Sequence, residues 1–494
     1  MSPQKRGTLL LFLMTSFLCS NNSAHAETSF LGGALSLKAA QTATPFQNDN
    51  GATPPKESYS GPTFVLSHDW PKTASPLPSG APWQKAIGNG KITIANASAY
   101  ADALKKAVSE NGSKLISDYP SWDAAKAEWY NEPWTGSLRE KIHGTYPAGL
   151  FGPSIFPGTG LTASFRTHVL TYYDKRAAYS LQKIWGTEAK MPTLTTEATQ
   201  FEEGSIIVKA AIFTSTDPQK KRDWWDAMKG AQEWDLYVPV ASKNDPPQVW
   251  PGYVAQFDII VKDTKSSPKT GWVFMTLVYD ATAQGSVWDK MVPLGVQWGN
   301  DPQATQDTDP LVENWINPKA PKYSTQTLGW GGRLSGPNDG ARNDIAIVGS
   351  TPGLPFMPNA MNSSCMSCHS TAQWNVKDNK MVSFLLPSFP DPNKPDAFYA
   401  NCTDRSQYDF NGDYICSPAP GSQTWMKWFQ NRRGNQPMDA GSVAADFDEV
   451  LTFKSLPLWY AATYPKTAGE KFFLNTTQHG AEYNQYTGAP IPKQ

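Results

Sequence analysis

Five consecutive residues, Cys365-Met366-Ser367-Cys368-His369, set two thiols two residues apart and an imidazole directly after them. That spacing lets both sulfurs reach the two vinyl groups along one porphyrin edge while the histidine turns onto the iron. The run therefore reads as the attachment site of one c-type haem, with His369 as an axial ligand. A disulfide or redox Cys-x-x-Cys pair beside an unrelated histidine is the plainer alternative. A zinc site would need further thiols or imidazoles at close spacing, and Cys402 and Cys416 stand too far apart to look like one.

Haem c is attached outside the bacterial inner membrane or in a compartment derived from that space, so the amino terminus is an independent test. Lys5 and Arg6 form a basic start, Thr8 to Cys19 an apolar stretch too short to span a bilayer comfortably, and Ala24-His25-Ala26 a small-x-small cleavage site. The expectation is a signal peptide over residues 1–26, cleavage after Ala26 and a periplasmic protein. Cleavage removes Cys19 and leaves four cysteines, two for haem and the pair Cys402 and Cys416. In an oxidising compartment a bridge between those two would stabilise by roughly 3 kcal/mol.

Loss of Lys5 and Arg6 would take the formal net charge of −1 to near −3, which points to neither nucleic acid nor an acidic membrane as partner. No second long apolar run suggests a stable membrane anchor. The 19 Trp, spread over the chain, offer large rigid surfaces for packing or for a ring-shaped ligand, with packing the expected use of most.

Residues 27–62 are rich in Ala, Thr, Gly, Pro, Asn and Ser and read as a flexible leader. Ser98 to Glu110 predicts a helix stopped by Asn111-Gly112, and a second is expected from Ser121 to Pro133 with Trp122, Ala125 and Trp129 on one face. Runs of β-branched and aromatic residues then predict strands over Ser205–Thr214, Trp234–Val240, Val254–Val261, Gly271–Tyr279 and Met291–Trp298, mostly antiparallel. The link between Val261 and Gly271 is too short for a crossover helix, so a hairpin is expected there. Residues 63–340 are thus expected as one β-rich domain with helical additions. The Gly-rich stretch Gly329 to Pro337 lacks the ending of a phosphate-binding loop, but it brings Arg333 near the haem motif, where Arg333 or Arg342 could meet propionates.

Around Cys365, Cys368 and His369 the chain resembles the cytochrome c family over about residues 345–465, within an expected haem domain at 341–465. The resemblance implies a small helical domain round one haem and a second axial ligand, commonly methionine, on a loop before the last helix. Asn362-Ser363-Ser364 would cap the motif helix, helices are expected over Thr424–Asn431 and Asp446–Phe453, and Pro457 would interrupt or end the latter. The loop between them carries Met438, the expected thioether ligand, which would favour reduced iron and electron transfer. Met426, a histidine or no sixth ligand are the alternatives. Residues 466–494 are read as a tail.

The fold class expected is α+β: a β-rich, mostly antiparallel domain followed by a small helical haem domain. About a hundred residues suffice for a haem carrier, so the remainder must fold and bind something. Asp409-x-Asn411-Gly412-Asp413 lacks the downstream glutamate of a calcium loop and reads as a polar turn. No proton-transfer or nucleophilic constellation stands out. A periplasmic monohaem electron-transfer protein with a docking domain for a redox partner is the leading expectation. A haem-dependent oxidoreductase binding a small molecule in the β-rich domain, and a haem-based sensor, are the alternatives.

Overall fold

The computed structural model describes residues 42–77, 80–153, 156–242, 245–338, 363–377, 421–423 and 425–465, with short backbone pieces at 380–381, 409–410, 413–414, 476–478, 481–483 and 490–491. The expected signal segment, the Cys402–Cys416 pair, Arg342 and His479 lie outside these residues. No helix among the described residues is long and apolar enough to cross a membrane.

One antiparallel sheet of eight strands organises the chain: β1 (Tyr146–Phe151), β2 (Phe165–Tyr173), β3 (Ile206–Ser215), β4 (Glu233–Val238), β5 (Gln248–Lys262), β6 (Trp272–Tyr279), β7 (Met291–Gln297) and β8 (Asn314–Ile316). The spatial order is β1-β2-β3-β5-β6-β7-β8, with β4 paired to the outer half of the long β5. The five expected strands are present within a few residues of their expected bounds. The hairpin joins Lys262 directly to Trp272 across the ladder. β1, β2 and β8 were not anticipated. Every residue of β6 is buried, because both sheet faces are covered, and this is why its run WVFMTLVY shows no polar alternation.

Helix α1 (Ala97–Ser117) continues seven residues past the expected end at Glu110. Gly112 is there for close approach rather than as a stop: a Cβ would lie 2.7 Å from the Trp288 ring, which itself stands edge-on to Phe257 of β5 at 5.3 Å. Leu115 and Ile116 beyond it are buried. The helix expected from Ser121 does not form. The chain turns instead, with Glu128 at φ 52°, although Trp122 and Trp129 do meet at 5.4 Å. Helix α2 (Lys175–Trp185) packs on β2 and β3, capped by Asp174. Of the 19 Trp, all but Trp122 and Trp315 are buried, so packing is their main use.

From Thr42 on, the stretch read as a leader is seated on the body. Asp49 pairs with Lys141 at 2.7 Å, Trp134 donates its N–H to the Pro45 carbonyl, and Phe46 stacks on His68 at 4.1 Å. Gly136 permits that seat, since a Cβ there would lie 1.8 Å from the Gln47 carbonyl oxygen. Gly136→Ala is expected to cost about 1–3 kcal/mol through this backbone collision, read in urea unfolding, and to open residues 42–50 to protease.

The α+β class stands, with its weight in the sheet. A small helical domain is not shown among the described residues. The motif helix α3 (Cys365–His369) and the segment from Ala445 to Ala461 belong to the same apolar core as the sheet. Trp425–Lys427 is a single tight turn. The expected last helix starts later, as a π-helical turn over Leu451–Ser455 running into α4 (Leu456–Thr463). Pro457 lies inside this continuous helical stretch, directly after the π-helical turn, so it interrupts the regular hydrogen-bond ladder without ending the helix.

Candidate functional site

Helix α3 is held at its start by three neighbours. Ser364 caps it, its Oγ accepting from Ser367 N–H at 3.1 Å while Ser367 Oγ accepts from Ser364 N–H at 2.7 Å. Gln297 at the end of β7 accepts from Met366 N–H at 3.0 Å and donates to Ser364 Oγ at 3.1 Å. The Gly-rich stretch supplies the third contact: Trp330 N–H donates to Ser363 O, and Cys365 N–H to Leu334 O. A Cβ on Gly329 would lie 2.0 Å from Ser363 O, so glycine is required there. The glycines thus position the motif helix. Arg333 is not near solvent or poised for propionates: it is fully buried and donates to the carbonyls of Asn300, Trp330, Asp301 and Ala304.

Cys365, Cys368 and His369 all border one half-open cavity of about 130 Å³. Its opposite wall is a face of the sheet, built from Tyr146 and Ala148 of β1, Val169 and Thr171 of β2, Lys209 of β3, Asp258 and Ile260 of β5, and Phe274 and Thr276 of β6. Ladder register places Thr171, Lys209, Asp258 and Thr276 side by side in one row across four strands. Strand alternation sends all four to the same side. Lys209 pairs with Asp258 at 2.8 Å, and Gln256 donates to both Asp258 oxygens at 2.9 and 3.0 Å while accepting from Asn338 N–H. A polar stripe therefore crosses an otherwise apolar and aromatic wall. The segment Glu449, Val450, Phe453 and Lys454 completes the enclosure.

His369 is oriented by contacts that a metal ligand needs. Its Nδ1–H donates to the Phe447 carbonyl at 2.8 Å, which fixes the tautomer with the hydrogen on Nδ1 and makes Nε2 the basic nitrogen of the ring. Phe274 lies against the ring at 4.9 Å. The Phe447 carbonyl is itself aimed by unusual backbone, because Asp446 and Phe447 both have positive φ, 48° and 70°, and neither is glycine. Asp446 holds that turn: it accepts from Trp272 Nε1 at 2.7 Å and Phe201 N–H at 2.7 Å, and pairs with Lys262.

Burial shifts the titrating groups of the enclosing segment. It pushes the Glu449 carboxyl well above its ordinary range, opposed by a hydrogen bond from Thr452 and reinforced by the neighbouring Asp448. Burial likewise raises Asp448 to about 6, against donation from Leu451 and Val450 N–H groups. The Lys454 amine, over the Tyr146 and Phe453 rings at 5.0 and 5.1 Å, is pulled down by burial to about 7.

Met438 is elsewhere. It packs against the cluster of Trp330, Trp425, Met426, Trp428 and Phe429, apart from the core that holds α3, and neither Met438 nor Met426 lines the cavity. Met275 borders it from β6, but alternation turns its side chain away from that of Phe274 and Thr276. His143 stacks on Trp234 at 4.2 Å and His168 is buried on β2, burial lowering both to about 3. Neither histidine borders the cavity, nor does His68. No Trp lines it either; its aromatic walls are Tyr146, Phe274 and Phe453. Among the described residues no three His, Cys, Asp or Glu side chains converge as an all-protein metal cage.

Comparison with protein-family models, with curated proteins and with solved structures finds no match for this chain. The site therefore rests on its own geometry. The sequence singled out Cys365, Cys368 and His369, which border the cavity, and did not mark Lys209, Asp258, Glu449 and Lys454, which border it too. The alternation of Val169, Thr171 and Tyr173 in an unrecognised β2 was a signal for one wall. Nothing local marked the Phe447 carbonyl.

Proposed function

We propose that the chain is an exported monohaem c-type protein that binds a small molecule at the iron in the cavity beneath its sheet. The single observation that carries this reading is that both motif thiols and an oriented His369 border one half-open, largely apolar cavity. Cys365 and Cys368 would hold the porphyrin through thioether bonds, and His369 Nε2 would ligate the iron. When bound, haem supplies one-electron chemistry and an iron centre for a diatomic or other small ligand. The protein's own groups shape that space: the sheet excludes bulk water, the Lys209–Asp258 pair holds fixed charge against one wall, and Glu449 and Lys454 bring exchangeable protons.

The purely electron-carrying reading leaned on Met438. With Met438 packed among tryptophans, the reading of a haem-dependent oxidoreductase or ligand sensor has the better support. A redox partner is still required as electron donor or acceptor. The decisive experiment is intact mass after expression in a host that attaches haem c. Polypeptide plus one haem is expected, and the bare polypeptide mass would reject the proposal. Met438→Leu is expected to leave the absorption spectrum of the loaded protein unchanged, within the precision of band positions. A change of the bands in both oxidation states would return Met438 to the iron.

A further inference from the structure

Behind the cavity wall runs a string of buried acids. Glu449 borders the cavity, and although the residue is half-buried, its Oε1 is shut off from solvent and has no hydrogen-bond partner; Oε2 accepts only from Thr452 at 3.1 Å. Next to it Asp448 accepts from the Tyr173 hydroxyl at 3.0 and 3.1 Å. Beyond Asp448, and electrostatically linked to it, lies Glu132, whose Oε1 accepts from Trp185 at 2.8 Å and whose Oε2 is buried without a partner. Arg139 is the cation acting on that end. Burial disfavours the ionised form of all three carboxyls, and each feels the charge of a neighbour in the string. An unfilled carboxyl oxygen on a cavity wall is the place where a proton can be exchanged.

This inference deepens the haem reading and rests on it. We propose that Glu449 takes up one proton when the haem iron in the cavity is reduced and releases it on oxidation, so that electron and proton enter the site together. The electron comes from the external reductant and the proton from solvent; ferric iron, one electron and the Glu449 carboxylate with one proton become ferrous iron and the Glu449 carboxylic acid. The physical cause is that reduction adds a negative charge to a poorly screened space, and the group best able to offset it is one that has an unused oxygen there. The other charged and titrating groups facing the space are already engaged. Asp258 is held by Lys209 and Gln256, Tyr146 by Thr171 at 3.2 Å and His369 by Phe447. Lys454, packed over two aromatic rings, is the competing titratable group on the enclosing segment.

The test is the haem midpoint potential, titrated spectroelectrochemically over the pH range in which the loaded protein stays folded. The wild type is expected to show a window in which the reduction equilibrium weakens toward tenfold per pH unit, about 59 mV for one electron. Glu449→Gln, which preserves shape, is expected to abolish that window, and Thr452→Val to move it upward by removing the hydrogen bond that favours the carboxylate. Lys454→Met is expected to retain it. In parallel, the reduced-minus-oxidised infrared spectrum is expected to gain a protonated-carboxyl band that shifts in heavy water and disappears in Glu449→Gln; this readout in wild type stands even if a variant fails to fold. A potential independent of pH, a window that survives Glu449→Gln, or one lost in Lys454→Met would overturn the proposal. Absence of any haem signal would instead reject the haem reading itself.

Discussion

Replacing both motif thiols, Cys365→Ala with Cys368→Ala, is expected to yield a folded chain that carries no covalent haem, an all-or-none loss read by haem staining after denaturing electrophoresis and by acid-acetone extraction. The thiols lie at i and i+3 of α3 and so share one helix face, the face that borders the cavity. The fold is expected to survive because the Ser364 cap, the Gln297 clamp and the Cys365 N–H bond to Leu334 use none of the sulfurs, and alanine is the better helix former. Haem retained through extraction by the double variant would contradict the attachment assignment. Each single variant is expected to keep one thioether bond.

Asp446→Ala is expected to be the most damaging single substitution in the site, costing about 3–5 kcal/mol. It strands the largely buried Lys262 ammonium, leaves Trp272 Nε1 and Phe201 N–H without their acceptor, and removes the side-chain brace of a turn held at positive φ. The Phe447 carbonyl would then lose its aim at His369. Urea unfolding gives the stability loss, and Lys262→Met added to Asp446→Ala should return part of it by removing the unpaired charge. A loss below about 1 kcal/mol, in the range of an ordinary neutral hydrogen bond, would show that the turn does not depend on Asp446.

What was legible follows from how local each signal is. Strands β3 to β7 announce themselves through β-branched and aromatic runs between turn residues, and the Cys-x-x-Cys-His run is chemistry written in five adjacent residues. β2 was missed because Arg166 and His168 interrupt its apolar pattern; the sheet buries His168 on one face and sets Thr171 in the polar row on the other. Asn111-Gly112 looked like a helix stop, yet Gly112 answers to Trp288, 176 positions along the chain, where only a hydrogen atom fits. The same limit hid the rest of the site. His369 and Phe447 are 78 residues apart, Tyr173 and Asp448 are 275 apart, and neither pair carries a periodicity or spacing that marks it. The resemblance to cytochrome c pointed at Met438 through loop position, while three-dimensional packing placed that side chain with Trp330 and Trp425.

The most direct test of the account is the absorption spectrum of the purified, loaded protein, oxidised and reduced, followed by carbon monoxide. A reduced form whose bands shift on adding carbon monoxide, with no near-infrared methionine-to-iron band in the oxidised form, is the expected result: iron held by His369 with its other face open to the sheet cavity. A methionine band together with indifference to carbon monoxide would contradict it and restore a closed electron carrier.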